Sequence, residues 1–248
     1  MVTGRPDNVA TPEHQDLRGE QSPHPHLIGL LKGVSVFAVL DDHTLEQVAR
    51  IAQRLTYAPG EMIFLEGEPC AGLYMLERGR CKIFKISTEG REQTLQVVLP
   101  GNFFNHVAAL DGGPNAANAV ALDNLTAWVM ARADIKTLAF QYPALSWVLL
   151  EHIAHVARFL IGIVEDLGLR PVKARLAKLL LEEAERSQQG ELDRESLLTQ
   201  QEIAARLGTV REMVGRALRT LMDDGAIKME RHRIVIVDRE ALKQMAML

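Results

Sequence analysis

Thr199–Arg233, TQQEIAARLGTVREMVGRALRTLMDDGAIKMERHR, holds two short helix patterns around a tight turn, followed by a β-hairpin pattern. Thr199 and Glu202 have the spacing of a capping box, in which the hydroxyl bonds a backbone N–H and the carboxylate reaches back. Ile203, Ala204 and Leu207 give the first helix an apolar stripe, and Gly208 suits the left-handed position after its end. Thr209 and Glu212 repeat the capping-box spacing and are expected to open the second helix, which stops at Gly225. At about 100° per residue, Arg211, Glu212, Arg216 and Arg219 share one face, and Val214, Ala217, Leu218 and Leu221 the opposite one. Two capped helices about such a turn are the helix-turn-helix signature.

The polar face carries residue types suited to base edges. Arginine is bidentate to guanine O6 and N7, and glutamate accepts from cytosine N4. The whole chain is acidic, with 28 Lys+Arg against 32 Asp+Glu and a net charge of −4. From Arg206 to Arg233, however, basic residues (Arg206, Arg211, Arg216, Arg219, Lys228, Arg231, Arg233) outnumber acidic ones (Glu212, Asp223, Asp224, Glu230). Any affinity for nucleic acid must therefore be local. GTVREMVGRALRTLMDDGAI resembles the helix-turn-helix of the Crp/Fnr family of bacterial transcription regulators. Arg211, Glu212 and Arg216 fall where the cyclic-AMP receptor protein branch carries its Arg-Glu-Arg reading set. That resemblance implies double-stranded DNA as partner, a TGTGA-like half-site, and base reading by those three residues. Thr199, Gln200, Arg219, Arg231, His232 and Arg233 would hold phosphates.

Upstream of this stretch, short runs with strand length are punctuated by Pro59-Gly60, Gly67, Gly79, Gly90 and Pro100-Gly101. EMIFL, GLYMLE, CKIFKIS and QTLQVVL predict a small antiparallel barrel or sandwich. Leu27 to about Leu55 reads as helical, with Asp41/Asp42 capping LEQVARIAQRL. The strand block resembles the cyclic-nucleotide-binding β-roll, in its PGE before a strand, its EG-x-P-x-x-x-LY-x-L-x-x-G-R run and its G-x-FF. In nucleotide-binding members the following cassette supplies a Glu to the ribose and an Arg to the cyclic phosphate. Here Asn105-His106-Val107 stands for Gly-Glu-Leu, and Ala116-Ala117 for Arg-Ser. Leu160-Ile161 replaces the Thr-Ser pair that meets adenine. Burying a phosphate without a cation costs several kcal/mol or more, so cyclic AMP is not expected as effector. A pocket filled by its own side chains, a small neutral ligand held by Asn105 and Asn118, or haem on His106 remain the alternatives.

Pro143 opens a long helical pattern. Leu150, Ile153, Ala157, Leu160, Val164 and Leu167 follow the 3,4 spacing of a coiled-coil seam. Leu149, Val156, Phe159 and Ile163 form a second stripe beside it. One stripe is expected to pack on the β-roll and the other on the same helix of a second subunit, with His152 and His155 as polar rim. Gly168-Leu169-Arg170-Pro171 is expected to break this helix, and VKARLAKLLLEEAERS to begin the next domain with Leu176, Leu179 and Leu180 inward. AIKMERHRIVIVDREAL reads as a wing hairpin. Ser187–Glu195 is a candidate contact for RNA polymerase.

The expected fold is α+β: a tail over 1–26, a cyclic-nucleotide-binding-like β-roll over 27–143, a dimerisation helix over 144–168 and a winged helix-turn-helix over 169–248. His24-Pro25-His26 is expected to be solvated tail rather than a metal site. No metal is expected, and Cys70 and Cys81, without any CxxC, read as idle thiols rather than a redox pair. Without a signal-peptide pattern or an uninterrupted apolar run of membrane length, the protein is expected in the cytoplasm with no membrane partner. No nucleophile–base–orienter set and no Gly-rich phosphate loop stand out, so an enzyme is not expected. A cyclic-nucleotide-responsive subunit acting on another protein would lack its phosphate ligand and leave the helix-turn-helix unused.

Overall fold

The computed structural model describes residues 24–34, 37–186, 199–230 and 233–247. The expected tail beyond His24 and the Ser187–Glu195 segment lie outside the described residues, as do Arg231 and His232. Contacts divide the chain into two compact units, Met1–Lys85 with Gln96–His155, and Ile86–Leu95 with Val156–Leu248.

In the first unit, helix α1 (Pro25–Gly33) begins inside the segment expected to be tail, because Leu27 and Leu31 are fully buried in the core. Asp41 caps α2 (Asp42–Arg50) by accepting from the Thr44 N–H at 2.7 Å. The helix then ends. Ala52–Tyr57, expected to continue it, is strand β1. Six registered pairs with Leu125–Met130 account for that, since they satisfy backbone groups that a helix would have used internally.

Strands β2 (Met62–Phe64), β3 (Leu73–Arg78), β4 (Cys81–Ile86) and β5 (Glu92–Val98) match the four expected runs. They are followed by β6 (Phe103–Phe104), α3 (His106–Asp111), β7 (Asn118–Ala121) and β8 (Leu125–Met130). Two four-stranded sheets result, ordered β1-β8-β3-β6 and β2-β7-β4-β5. Tyr74, Leu76, Cys81, Phe104, Ala119 and Ala127 belong to one buried cluster of this β-roll. Between β3 and β4, Gly79 has φ +84°, and a Cβ there would stand 2.7 Å from the Asn124 carbonyl oxygen. Only glycine fits that turn.

Helices α4 (Arg132–Gln141) and α5 (Pro143–Leu169) follow. The first half of α5 buries Leu145, Val148 and Leu149 in the cluster that also holds Leu27, Met75, Phe103 and Trp128. The helix breaks within Gly168–Pro171 as expected: α5 ends at Leu169, and α6 starts at Val172, directly after Pro171. By length and mean hydropathy (1.6) α5 is apolar enough to cross a membrane, although Glu151, His152, His155 and Arg158 interrupt it.

The second unit contains α6 (Val172–Arg186), α7 (Gln200–Leu207), α8 (Arg211–Asp223), β9 (Ile227–Glu230), β10 (Arg233–Ile236) and α9 (Arg239–Ala246). Its core gathers Leu176, Leu180, Ile203, Val214, Leu221 and Leu242, with Leu179 packed at the edge. The wing pairs Ile227–Glu230 with Arg233–Ile236. The residues after it, read as the end of a hairpin, instead form α9. Asp238 caps that helix by accepting from the Ala241 N–H, and Leu242 and Ala246, four apart, bury one face. The fold is thus a β-roll, a long helix and a winged helix-turn-helix.

Candidate nucleic-acid interface and effector cassette

The first capping box forms as expected. Thr199 N–H donates to Glu202 Oε2 at 2.6 Å, and the Glu202 N–H donates to Thr199 Oγ1 at 3.2 Å. Because Oγ1 acts as acceptor there, its own proton stays available to a phosphate oxygen. The second capping box does not form. Gly208, at φ +62°, and Thr209 both donate their N–H groups to the Ala204 carbonyl, so Thr209 closes α7 instead of opening α8. Val210 is the N-cap of α8 and offers no side-chain cap.

On α8 the two faces separate as the periodicity implied. Val214, Ala217, Leu218 and Leu221 are buried, whereas Arg211, Glu212, Arg216 and Arg219 are exposed. Arg211 and Glu212 make no hydrogen bond or ion pair among the described residues. Arg216 Nη1 lies 4.0 Å from Met213 Sδ, and Arg219 Nε donates to the Gly215 carbonyl at 3.3 Å. A Cβ on Gly215 would lie 3.8 Å from Gln200 Oε1, which places Gln200 beside the middle of α8. The arrangement is a helix packed on its apolar face that presents guanidinium and carboxylate groups to solvent. Arg233 starts β10 in the wing.

The cassette is organised differently from expectation. Asn105 takes the left-handed conformation at φ +61°, which asparagine tolerates better than most residues. Its carboxamide nitrogen reaches Asn115 Oδ1 at 3.0 Å and Cys70 Sγ and the Gly72 carbonyl at 3.3 Å each. Asn115, which sequence reading passed over, is buried; its Nδ2 donates to the Leu65 carbonyl at 3.2 Å. Asn118 accepts from the Glu66 N–H and donates to the Phe84 carbonyl. Both asparagines expected to greet a small neutral ligand therefore serve the chain's own strands and loop. Ala117 is buried and Ala116 exposed, and neither brings a cation. Leu160 and Ile161 are exposed residues of α5. A cyclic phosphate bound in the usual manner does not fit these residues.

His152, expected at the rim of the seam, instead packs on His106 with ring centroids 5.2 Å apart and edge-on, and on Phe103 at 5.8 Å. His155 is exposed. Nδ1 of His106 and Nε2 of His152 are buried without a partner. Rings in contact leave no room for a macrocycle between them, so the pair does not form a bis-histidine haem site. Burial, reinforced by His152, holds the His106 pKa down at about 4. Burial and then His155 also lower that of His152. Cys81 is fully buried, and Cys70 sits half-buried in the asparagine network.

A pH dependence follows. A depressed histidine pKa means that the unfolded chain takes up the proton first as pH falls. Stability is therefore lost from about pH 6.5 down to about pH 4, and His106 accounts for roughly 3 kcal/mol of that loss. Urea unfolding across this range should show the midpoint falling with acidity, and His106→Leu should flatten the slope. An unchanged slope in the variant would contradict the assignment.

Two family descriptions match the chain, a cyclic nucleotide-binding domain at residues 54–142 and a Crp-like helix-turn-helix domain at residues 174–245. A CRP-like cAMP-activated global transcriptional regulator of Mycobacterium tuberculosis is 30% identical over 220 residues, covering 88% of this chain and 98% of that protein. The cyclic AMP receptor protein of Thermus thermophilus is 27% identical over 221 residues, covering 87% and 98%. Among solved structures, FixK2 from Bradyrhizobium japonicum superposes with a TM-score of 0.66 at 26% identity, over 79% of this chain and 97% of that one. The helix-turn-helix, the wing, the β-roll and these likenesses agree, and the chain belongs to the Crp/Fnr family of transcription regulators.

Proposed function

We propose that the protein is a homodimeric, sequence-specific transcription regulator that recognises an inverted-repeat operator without requiring cyclic AMP. The observation that carries this reading is the pairing of a buried α8 face with free Arg211, Glu212 and Arg216 on the other. A fixed helix rotation aims those groups outward, where Arg211 and Arg216 meet guanine and Glu212 meets cytosine in the major groove. Thr199, Gln200, Arg219, Arg231 and Arg233 contact phosphates and set register. A two-fold dimer presents two such helices to half-sites about 34 Å apart. The half-site resembles TGTGA, RNA polymerase is the further partner, and the site of action is the bacterial cytoplasm.

Effector independence is supported by the cassette. Ala116 and Ala117 supply no phosphate ligand, and Asn105 is tied to Asn115 and Cys70. The test uses purified full-length dimer stripped of small molecules and duplexes selected from a random pool. Operator affinity should be unchanged by added cyclic AMP. Binding that appears only with cyclic AMP would overturn this half of the reading. Binding that needs haem or another small ligand would establish the effector-gated alternative.

A further inference from the structure

A cavity of about 230 Å³ opens in the first unit where α3, α4 and α5 meet. Its floor is apolar: Ala109, Ile135 and Leu149 are buried residues, and Leu110 and Ala139 complete the wall. Two cations stand at it, Arg132 and Lys136, one turn apart on α4. Among the described residues, no carboxylate lies within ion-pair distance of either.

Arg132 is half-buried, and its guanidinium lies so close over Gly112 that a Cβ there would stand 2.8 Å from Cζ. One Nη2 donor reaches the Leu110 carbonyl at 3.3 Å, while Nε is buried with no partner. A guanidinium carries five donors, and a buried unpaired one is costly. Ser146 adds nothing, because its hydroxyl is committed to the Ala139 carbonyl at 2.6 Å. The site therefore offers unsatisfied positive charge beside unfilled apolar volume.

We propose that this cavity binds a small apolar monocarboxylate, its carboxylate on Arg132 and Lys136 and its hydrocarbon body against Ile135, Leu149 and Ala109. A planar guanidinium matches a carboxylate in two parallel bonds. At roughly 30 Å³ per water-sized group, the volume accepts on the order of eight heavy atoms. That size excludes a nucleotide and suits a short acyl or aryl chain. None of the residues that stand in for the cyclic-nucleotide ligands lines the cavity, so its test is separate from that of operator binding with or without cyclic AMP.

Isothermal titration of the intact full-length protein tests the proposal, with sodium hexanoate as probe and hexanol, acetate and inorganic phosphate as comparisons. Hexanoate should bind saturably, one per chain. Hexanol lacks the charge and acetate and phosphate lack the body, so each should bind at least tenfold more weakly. Arg132→Gln should weaken hexanoate about tenfold and Lys136→Gln severalfold. Should Arg132→Gln fail to fold, Ala139→Leu decides, because it intrudes on the cavity and leaves both cations in place; it should abolish uptake. Absence of saturable hexanoate binding, phosphate binding as tightly as hexanoate, or unaltered uptake in Lys136→Gln and Ala139→Leu would each overturn the assignment.

Discussion

Leu160→Asp combined with Val164→Asp should convert the protein to a monomer at micromolar concentration and cost two to four decades of operator affinity. Both side chains lie on the seam of α5, and the single chain leaves them uncovered, Leu160 at 44% and Val164 at 70% exposure. Their removal therefore costs the isolated chain little. The neighbouring stripe is more covered at Leu149, Val156 and Ile163, while its Phe159 is 46% exposed. In the proposed dimer, this apolar seam at 3,4 spacing, which its own chain does not cover, would pack on the same seam of a second copy. In such a dimer the substituted carboxylates would face each other in an apolar layer, at a cost of several kcal/mol. Joining two recognition helices makes the second half-site contact intramolecular, which is worth about 10²–10⁴ in affinity. Sedimentation velocity and a gel-shift titration measure the two effects. Circular dichroism should show the helix content nearly intact. A variant that stays dimeric with wild-type affinity would show that this seam is not the interface.

Where the determinants were local, the sequence announced them. The Thr199–Glu202 capping box, Gly208 at positive φ and the buried face of α8 each depend on residues within one or two turns. Errors arose where a distant partner decided. Ala52–Tyr57 carries the apolar spacing of α2 onward, yet its backbone pairs with Leu125–Met130, more than sixty residues away. Strand β8 is itself buried at every position, so it shows no alternation to betray it. Thr209 does not cap α8 because that helix starts one residue later, with Val210 at its N-cap. Helix α9 was legible in principle, since Asp238 precedes Leu242 and Ala246 at helical spacing. What stands in the cassette in place of a phosphate and ribose ligand was not legible in the sequence. No local pattern links Asn105 to Cys70, thirty-five positions earlier, or His106 to His152 on α5.

Arg216→Ala should cost about 1–3 kcal/mol on the preferred operator, a loss of roughly 5- to 150-fold, and should relax discrimination at one base pair per half-site. The side chain is exposed on α8, its nearest polar neighbour is Met213 Sδ at 4.0 Å, and no carboxylate holds it. Folding therefore loses nothing measurable when it is truncated, and thermal unfolding should be unchanged. In the proposed complex the lost energy would be that of a bidentate contact with guanine O6 and N7, which no other base offers in that geometry. Arg219 provides the contrast. It sits on the same face but is anchored by Nε to the Gly215 carbonyl, a geometry suited to a backbone phosphate. Arg219→Ala should weaken all sequences about equally and lower the slope of log affinity against log salt by about one. Gel-shift titrations of both variants on the operator, on single-base variants of it and on random duplex separate the cases. Equal losses for Arg216→Ala on operator and random DNA would assign it to phosphate, and α8 would then need a different rotation in the groove.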